Sequence, residues 1–376
     1  DERVESRFTK QLRVGRGGGK KTVEGPFVSR GARKRAHMDH AHQCPVASEE
    51  GPGTVDDRLF EVFIVHDSGE LRAGIQSRVY GADMDDIHLT TDCGTRARIA
   101  PDSGFCCLSW RVGDAEHLHL PVPEAEFRSK PKTGGVPLLY PYANRLRSDP
   151  WPDHPEVKRD NGLPCHGFLL RFEDWTDVRV EQQRATAVLD WARHDDLMAL
   201  FPHAHRLEVT FEVAPGSLRA TTVVEADGSD HVPISFGWHP YLALPGVAHD
   251  QLSLRLPPLE HVHLDDRGLP VRDGEGALCK DAPEDFSGSL EGREFDDLYQ
   301  RPEFDSVFAL EGPSSTINVR MDRNWGFIQL YSPTDGNFAC IEPMTGPVAA
   351  LSDGRDHPTI APGERFEASF ELSVSS

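Results

Sequence analysis

The chain has 376 residues, with 40 Lys+Arg against 61 Asp+Glu, a formal net charge of −21 and 38% hydrophobic residues. That length can bury one large core or two ordinary ones, and no run approaches the ~18 apolar residues that span a bilayer. An acidic body repels phosphate backbones and anionic lipid, so nucleic acid and membranes are not expected as partners, whereas a neutral or cationic small molecule fits.

The first 55 residues read as a disordered basic N-terminal tail and linker. Residues 1–36 carry 11 Lys/Arg against 4 Asp/Glu, which leaves −28 on the remainder. The segment "VGRGGGKKTVEG" is flexible and basic, and "ASEEGPGTVDD" is a polar linker. Gly15 to Gly19 is one residue too short for a phosphate loop. His37, His40, His42 and Cys44 in "HMDHAHQC" are metal-ligand types, but in a disordered tail they read as incidental. No apolar stretch of the signal-peptide kind stands near the start. Seven cysteines without CxxC spacing, two of them adjacent (Cys106 and Cys107), are expected to be free thiols. The expectation is a cytoplasmic protein.

Residues 56–376 are read as one domain dominated by a period of two. In "RLEVTFEV", Leu207, Val209, Phe211 and Val213 alternate with polar residues. In "RFEASFELSV", Phe366, Ala368, Phe370, Leu372 and Val374 do the same. Such alternation turns one face to a core and the other to water. "LFEVFIV", "ATAVLDW", "LRATTVVEA", "QLSLRL", "TINVRM" and "FIQLYSP" add strands. Pro and Gly punctuate throughout, and neither a long helical period nor a repeat of 20–50 residues is present. The predicted fold is all-β, a large antiparallel β-sandwich with long functional loops.

Four stretches concentrate polar chemistry. In "NFACIEPMTGPVAAL" a single carboxylate, Glu342, sits between an apolar run and a proline, and a carboxylate buried there needs a partner or a proton. Arg145 follows an apolar strand in "GGVPLLYPYANRLRSD". His166 precedes a glycine in "NGLPCHGFLLRFEDW", and His239 lies between Trp238 and Pro240 in "ISFGWHPYLALPG". Three His-x-His pairs, His117/His119, His203/His205 and His261/His263, are a separate signal: alternate strand residues share a face and can chelate a metal. They support a rival reading as a metal-dependent, cupin-like enzyme, against which no matching downstream Glu and His are found.

Taken in order, "P-Y-A-N-R-L", "H-G-F", "W-H-P-Y-L-A-L-P-G" and "C-I-E-P" resemble the aldose 1-epimerase (mutarotase) family. "ARIAPDSGFCCLSW" and "IAPGERFEASFEL" extend the likeness over about residues 95–372. The resemblance implies a galactose mutarotase-like supersandwich with a sugar cleft, and an enzyme that interconverts the α and β anomers of a free hexose. It also implies roles: Glu342 as base, His239 as acid, and Arg145, His166 and an aspartate as binders of sugar hydroxyls. That aspartate is Asp296 of "REFDDLY", with Asp297 as the near alternative; Asp305 reads as a strand residue. Two positions depart from the galactose-specific members: Phe168 stands where they carry a second glycine after the histidine, and Leu242-Ala243-Leu244 where they carry Phe-Asn-Leu.

The residue types suit the chemistry. Anomer exchange opens a hemiacetal by removing the C1 hydroxyl proton and protonating the ring oxygen, with no metal, cofactor or covalent intermediate required. Reference pKa values of about 4.3 for Glu and 6.5 for His predict an ionised base and a proton-donating acid near neutrality. Trp238 or Trp325 could cover an apolar sugar face, although core positions are the usual fate of Trp. The alternatives on the same fold are a hexose-6-phosphate epimerase and a non-catalytic sugar-binding module. The expected partner is an aldohexose, and the oligomeric state is left open.

Overall fold

The computed structural model describes residues 85–129, 132–155 and 157–375, together with three short strands nearer the start, Lys10–Leu12, Lys21–Val23 and Gln76–Arg78. The chain separates into two compact units, 1–59 and 60–376. In the first, Lys10–Leu12 pairs antiparallel with Lys21–Val23. The rest of the expected tail, and the strand expected over "LFEVFIV", lie outside the described residues.

In the second unit the period-two segments become strands of one antiparallel system. Its path runs from Gln76–Arg78 through Asp177–Val180, Arg184–Asp190, Arg206–Ala214 and Ser217–Glu225 to Arg365–Ser375. It continues through Thr316–Met321, Val307–Glu311, Ser253–Val262, Phe295–Gln300, Phe327–Ser332 and Ala339–Met344, and ends at Gly237–Trp238 and Leu138–Leu139. The final strand of the chain therefore sits in the middle of the sheet. A separate four-stranded sheet comprises Ile87–Thr90, Thr95–Ala100, Cys106–Val112 and Ala115–Glu116.

The alternation sets the layers. Leu207, Val209, Phe211 and Val213 are buried while Glu208 and Glu212 are half-exposed. Each such large side chain contributes roughly 1.5–3 kcal/mol of burial. Thr210 breaks the pattern: it is buried on the other face and shares a hydrogen bond of 2.9 Å with Thr186 across the ladder. Among the described residues, helix is confined to short pieces such as Glu124–Ser129, Asp195–Leu200 and Ala350–Asp353. The fold is an all-β antiparallel sandwich.

Strand Ser253–Val262 joins the two halves of the sheet. Its first part pairs with Glu284–Ser289 and Val307–Glu311, its last part with Phe295–Gln300, and the register shifts between Leu256 and Leu259. Pro257 and Pro258 stand at that shift; lacking N–H donors, they cannot continue a ladder and fit a bulge. Beyond it lie the strands that carry the candidate site.

Candidate active site

Glu342 lies on Ala339–Met344, a strand whose six residues are all buried. Residues directly opposite across a ladder point to the same side of the sheet. Leu298, Gln329 and Glu342 are opposed in sequence across three strands. Two positions along, Asp296, Tyr331 and Cys340 are opposed in the same way and share that side. The Gln329 amide donates to Asp296 Oδ1 at 2.8 Å. Asp297 points to the reverse side, where its Oδ1 lies 3.2 Å from His261 Nε2. Of the two candidate aspartates, the pleat puts Asp296 with Glu342.

His239 follows the two-residue strand Gly237–Trp238, which pairs with both Ala339–Met344 and Leu138–Leu139. Trp238 turns into the core and donates to Thr222 Oγ1 at 3.0 Å, so the next side chain faces the other way. A Cβ at Gly237 would stand 2.8 Å from both Ala143 Cβ and Pro343 O, so only glycine permits the approach of these strands. His239 Nε2 comes to rest 3.3 Å from Glu342 Oε1, with both side chains buried. The Tyr241 ring stacks on His239 at 4.5 Å, and the Tyr241 hydroxyl bonds Thr133 Oγ1 at 2.7 Å.

His166 occupies a loop with unusual backbone. It has φ +69, as does Gly167 after it, and a Cβ on Gly167 would lie 2.0 Å from Tyr140 O. The Phe168 N–H donates to that same oxygen at 2.8 Å, so the turn is pinned to the chain leading to Arg145. The His166 ring meets the His239 ring edge-on at 5.4 Å. Cys165 bridges to Arg145 by backbone, and the Cys165 N–H donates to Lys158 O at 2.8 Å. Arg145 Nε donates to Asp160 Oδ2 at 2.8 Å and its Nη1 to Asn144 Oδ1 at 3.2 Å, so the guanidinium is held by its neighbours in a nearly buried setting.

Burial moves both groups away from their reference pKa values, each toward its neutral form. Burial, aided by the charge of Asp296, pushes the Glu342 carboxyl well above its usual range, while Lys158 and Arg145 pull it back down. Burial, then Lys158, pushes His239 down to about 3. His166 is also held well below its usual value by burial and by the positive charges around it. Desolvation penalises every charged form here, so the surroundings favour the neutral carboxyl and the neutral imidazole over their charged forms.

Several buried polar atoms in this group have no hydrogen-bond partner in the protein: Glu342 Oε2, His239 Nδ1, His166 Nδ1 and Gln329 Oε1. Buried polar atoms are normally satisfied, so a cluster of unsatisfied ones marks a place built for a polar ligand. Glu342, His239 and His166 were readable in the sequence. Gln329 was not singled out, although a glutamine in the apolar run "FIQLYS" is a signal of the same kind as Glu342. Lys158 and Asp160 carry no such signal in the sequence. Trp238 and Trp325 are fully buried core residues and cover no cleft.

The His-x-His pairs separate. His205 is buried, receiving the Tyr140 hydroxyl at Nε2 (2.6 Å) and donating from Nδ1 to His203 O (2.6 Å). His117 lies against Trp110, and His119 stacks on Phe338 at 4.7 Å. His261 and His263 stand together on the surface with Asp281. The described cysteines are free. Among the described residues, no helix is long and apolar enough to cross a membrane.

The fold and site define an antiparallel β-sandwich protein that buries a carboxylate–imidazole pair among unsatisfied polar atoms. The chain belongs to the aldose 1-epimerase family, whose sequence model matches residues 85–373. No curated protein matches the sequence. Solved structures share the fold. Slr1438 from Synechocystis sp. PCC 6803 is 22% identical, with 79% of this chain and 98% of that one covered and a TM-score of 0.61. A galactose mutarotase-like protein from Clostridium acetobutylicum is 18% identical over 81% and 98%, with a TM-score of 0.63. An aldose epimerase homologue from C. elegans is 16% identical over 77% and 98%, with a TM-score of 0.60.

Proposed function

We propose that this chain is an aldose 1-epimerase acting on a free aldohexose, with Glu342 and His239 as its acid–base pair. The observation that carries the reading is their contact at 3.3 Å, ringed by unsatisfied polar atoms. The oxygen that loses a proton and the oxygen that gains one are both bonded to C1, so two adjacent groups suffice to serve them.

The proton inventory closes. Transfer of the shared proton from Glu342 to His239 makes a carboxylate and an imidazolium without changing the charge of the pair, and the positive charges of Lys158 and Arg145 favour the carboxylate. Glu342 then takes the C1 hydroxyl proton, His239 protonates the ring oxygen, and the C1–O5 bond breaks to leave an aldehyde. Glu342 is now protonated and His239 neutral, which is the state that burial prefers. Rotation about C1–C2 presents the other carbonyl face, and the same steps in reverse close the ring. Arg145, His166 and Asp296 hold hydroxyls: a fixed cationic donor, a neutral imidazole and an acceptor on the Glu342 side of the sheet.

Polarimetry on fresh α-glucose, α-galactose and glucose 6-phosphate tests this. The expected result is acceleration over the spontaneous rate, falling by roughly 10²–10⁴ in Glu342→Gln and in His239→Asn with unfolding midpoints retained. A Glu342→Gln rate near that of the parent would remove Glu342 from the mechanism. A chain that binds sugar but leaves the spontaneous rate unchanged would be a binding module.

A further inference from the structure

The His261/His263 pair is not absorbed by the site above. The Val262–Lys280 bridge puts His261 opposite Asp281 and His263 opposite Cys279, so all four side chains share one face, with Lys280 on the other. The backbone is fixed there: the Asp281 N–H donates to His261 O at 2.9 Å, and the His263 N–H to Cys279 O at 2.9 Å. One ligand atom each from His261, His263 and Asp281 lies within 4.8 Å of the others; Cys279 is not part of that cluster. Asp281 reaches His261 Nδ1 at 3.3 Å and His263 Nε2 at 2.9 Å.

A second carboxylate flanks the cluster. His261 presents both ring nitrogens to carboxylates, Nδ1 to Asp281 and Nε2 to Asp297 at 3.2 Å. A divalent ion can sit between Nδ1 and Asp281. Asp297 would then receive the Nε2–H and fix the ring, the arrangement by which carboxylates orient metal-bound histidines. Asp281 and Asp297 together balance a charge of +2.

The geometry points to a site for a first-row divalent metal of the zinc type, bound by His261 Nδ1, His263 Nε2 and Asp281, with water completing the shell. Bonds of about 2.0–2.2 Å from a shared ion span contacts of this size, and two imidazoles with one carboxylate suit Zn²⁺ better than Ca²⁺ or Mg²⁺. The site lies on the side of Phe295–Gln300 away from Glu342 and takes no part in the acid–base steps. It closes the base of the arm 264–280, in which Gly268 packs so closely on Arg145 that a Cβ there would lie 2.6 Å from Nη1. The metal is a clamp on that arm.

The test is calorimetric titration of the untagged full chain with Zn²⁺ near neutral pH, in a background of His37→Ala, His40→Ala, His42→Ala and Cys44→Ser so that the first unit does not compete. One equivalent is expected to bind. His263→Ala and Asp281→Asn should weaken binding by more than about 100-fold, and Asp297→Asn by about 10–100-fold. Far-ultraviolet circular dichroism should be unchanged, because all three positions are at least partly exposed. Absence of stoichiometric binding, or binding indifferent to His263→Ala and Asp281→Asn, overturns the site. Either outcome leaves the epimerase reading untouched, because the readout is metal affinity.

Discussion

At the scale of single residues, the Glu342–His239 pair is governed by burial rather than by intrinsic acidity. Exposed Glu and His side chains would exchange roles between about pH 4.3 and 6.5, and activity would follow a narrow bell. Here Glu342 is raised well above its usual range and His239 lowered to about 3, both chiefly by desolvation. With His239 lowered to about 3, the kcat/KM for mutarotation is expected to show no histidine break between about pH 5 and pH 8. Polarimetry across that range in non-catalytic buffers checks this, and a break near pH 6.5 would mean that His239 titrates as an exposed histidine.

At the scale of elements, the pleat of one strand decides which side chains meet. Asp296 and Asp297 are chemically equivalent neighbours in Phe295–Gln300, yet one shares the side of Glu342 and Gln329 and the other reaches His261. Asp296→Asn is accordingly expected to raise the KM for sugar, by about 10-fold or more for one charge-assisted hydrogen bond, while Asp297→Asn leaves it near the parent value. Equal effects from both would show that the strand register is not what selects the binder. The strand boundaries themselves follow ordinary rules. Alternation drew Arg206–Ala214 and Arg365–Ser375, and the Pro257-Pro258 pair shifts the register where Ser253–Val262 passes between partners.

At the scale of the whole molecule, buried neutral histidines tie stability to pH. His205 is fully buried, accepting from Tyr140 and donating to His203 O, and burial lowers it to about 4. Between about pH 4 and 6.5 the unfolded chain binds a proton at this residue that the folded chain does not, so stability falls as pH drops through that window. The share of His205 is about 3 kcal/mol across it. Urea unfolding at several pH values should show the acid-side slope reduced in His205→Gln, whatever that change does to absolute stability. An unchanged slope would place the proton elsewhere, His117, His166 and His239 being other buried histidines with lowered pKa.

Much of this was open to reading from the chain alone, for a physical reason. Side-chain alternation is a one-dimensional consequence of the β-pleat, so the sandwich class and most of its strands could be named without coordinates. The order of the motifs around Arg145, His166, His239 and Glu342 pointed to their family because loop chemistry is local. What only tertiary structure decided depends on distance between remote segments. The contact of His239 with Glu342, the separation of Asp296 from Asp297 onto opposite sides of the sheet, the charge of Lys158 near the pair and the union of His261 and His263 with Asp281 all arise from tertiary packing. The pKa shifts of the pair have the same root: a pKa is set by the solvent a group loses, and no residue carries its burial in its name.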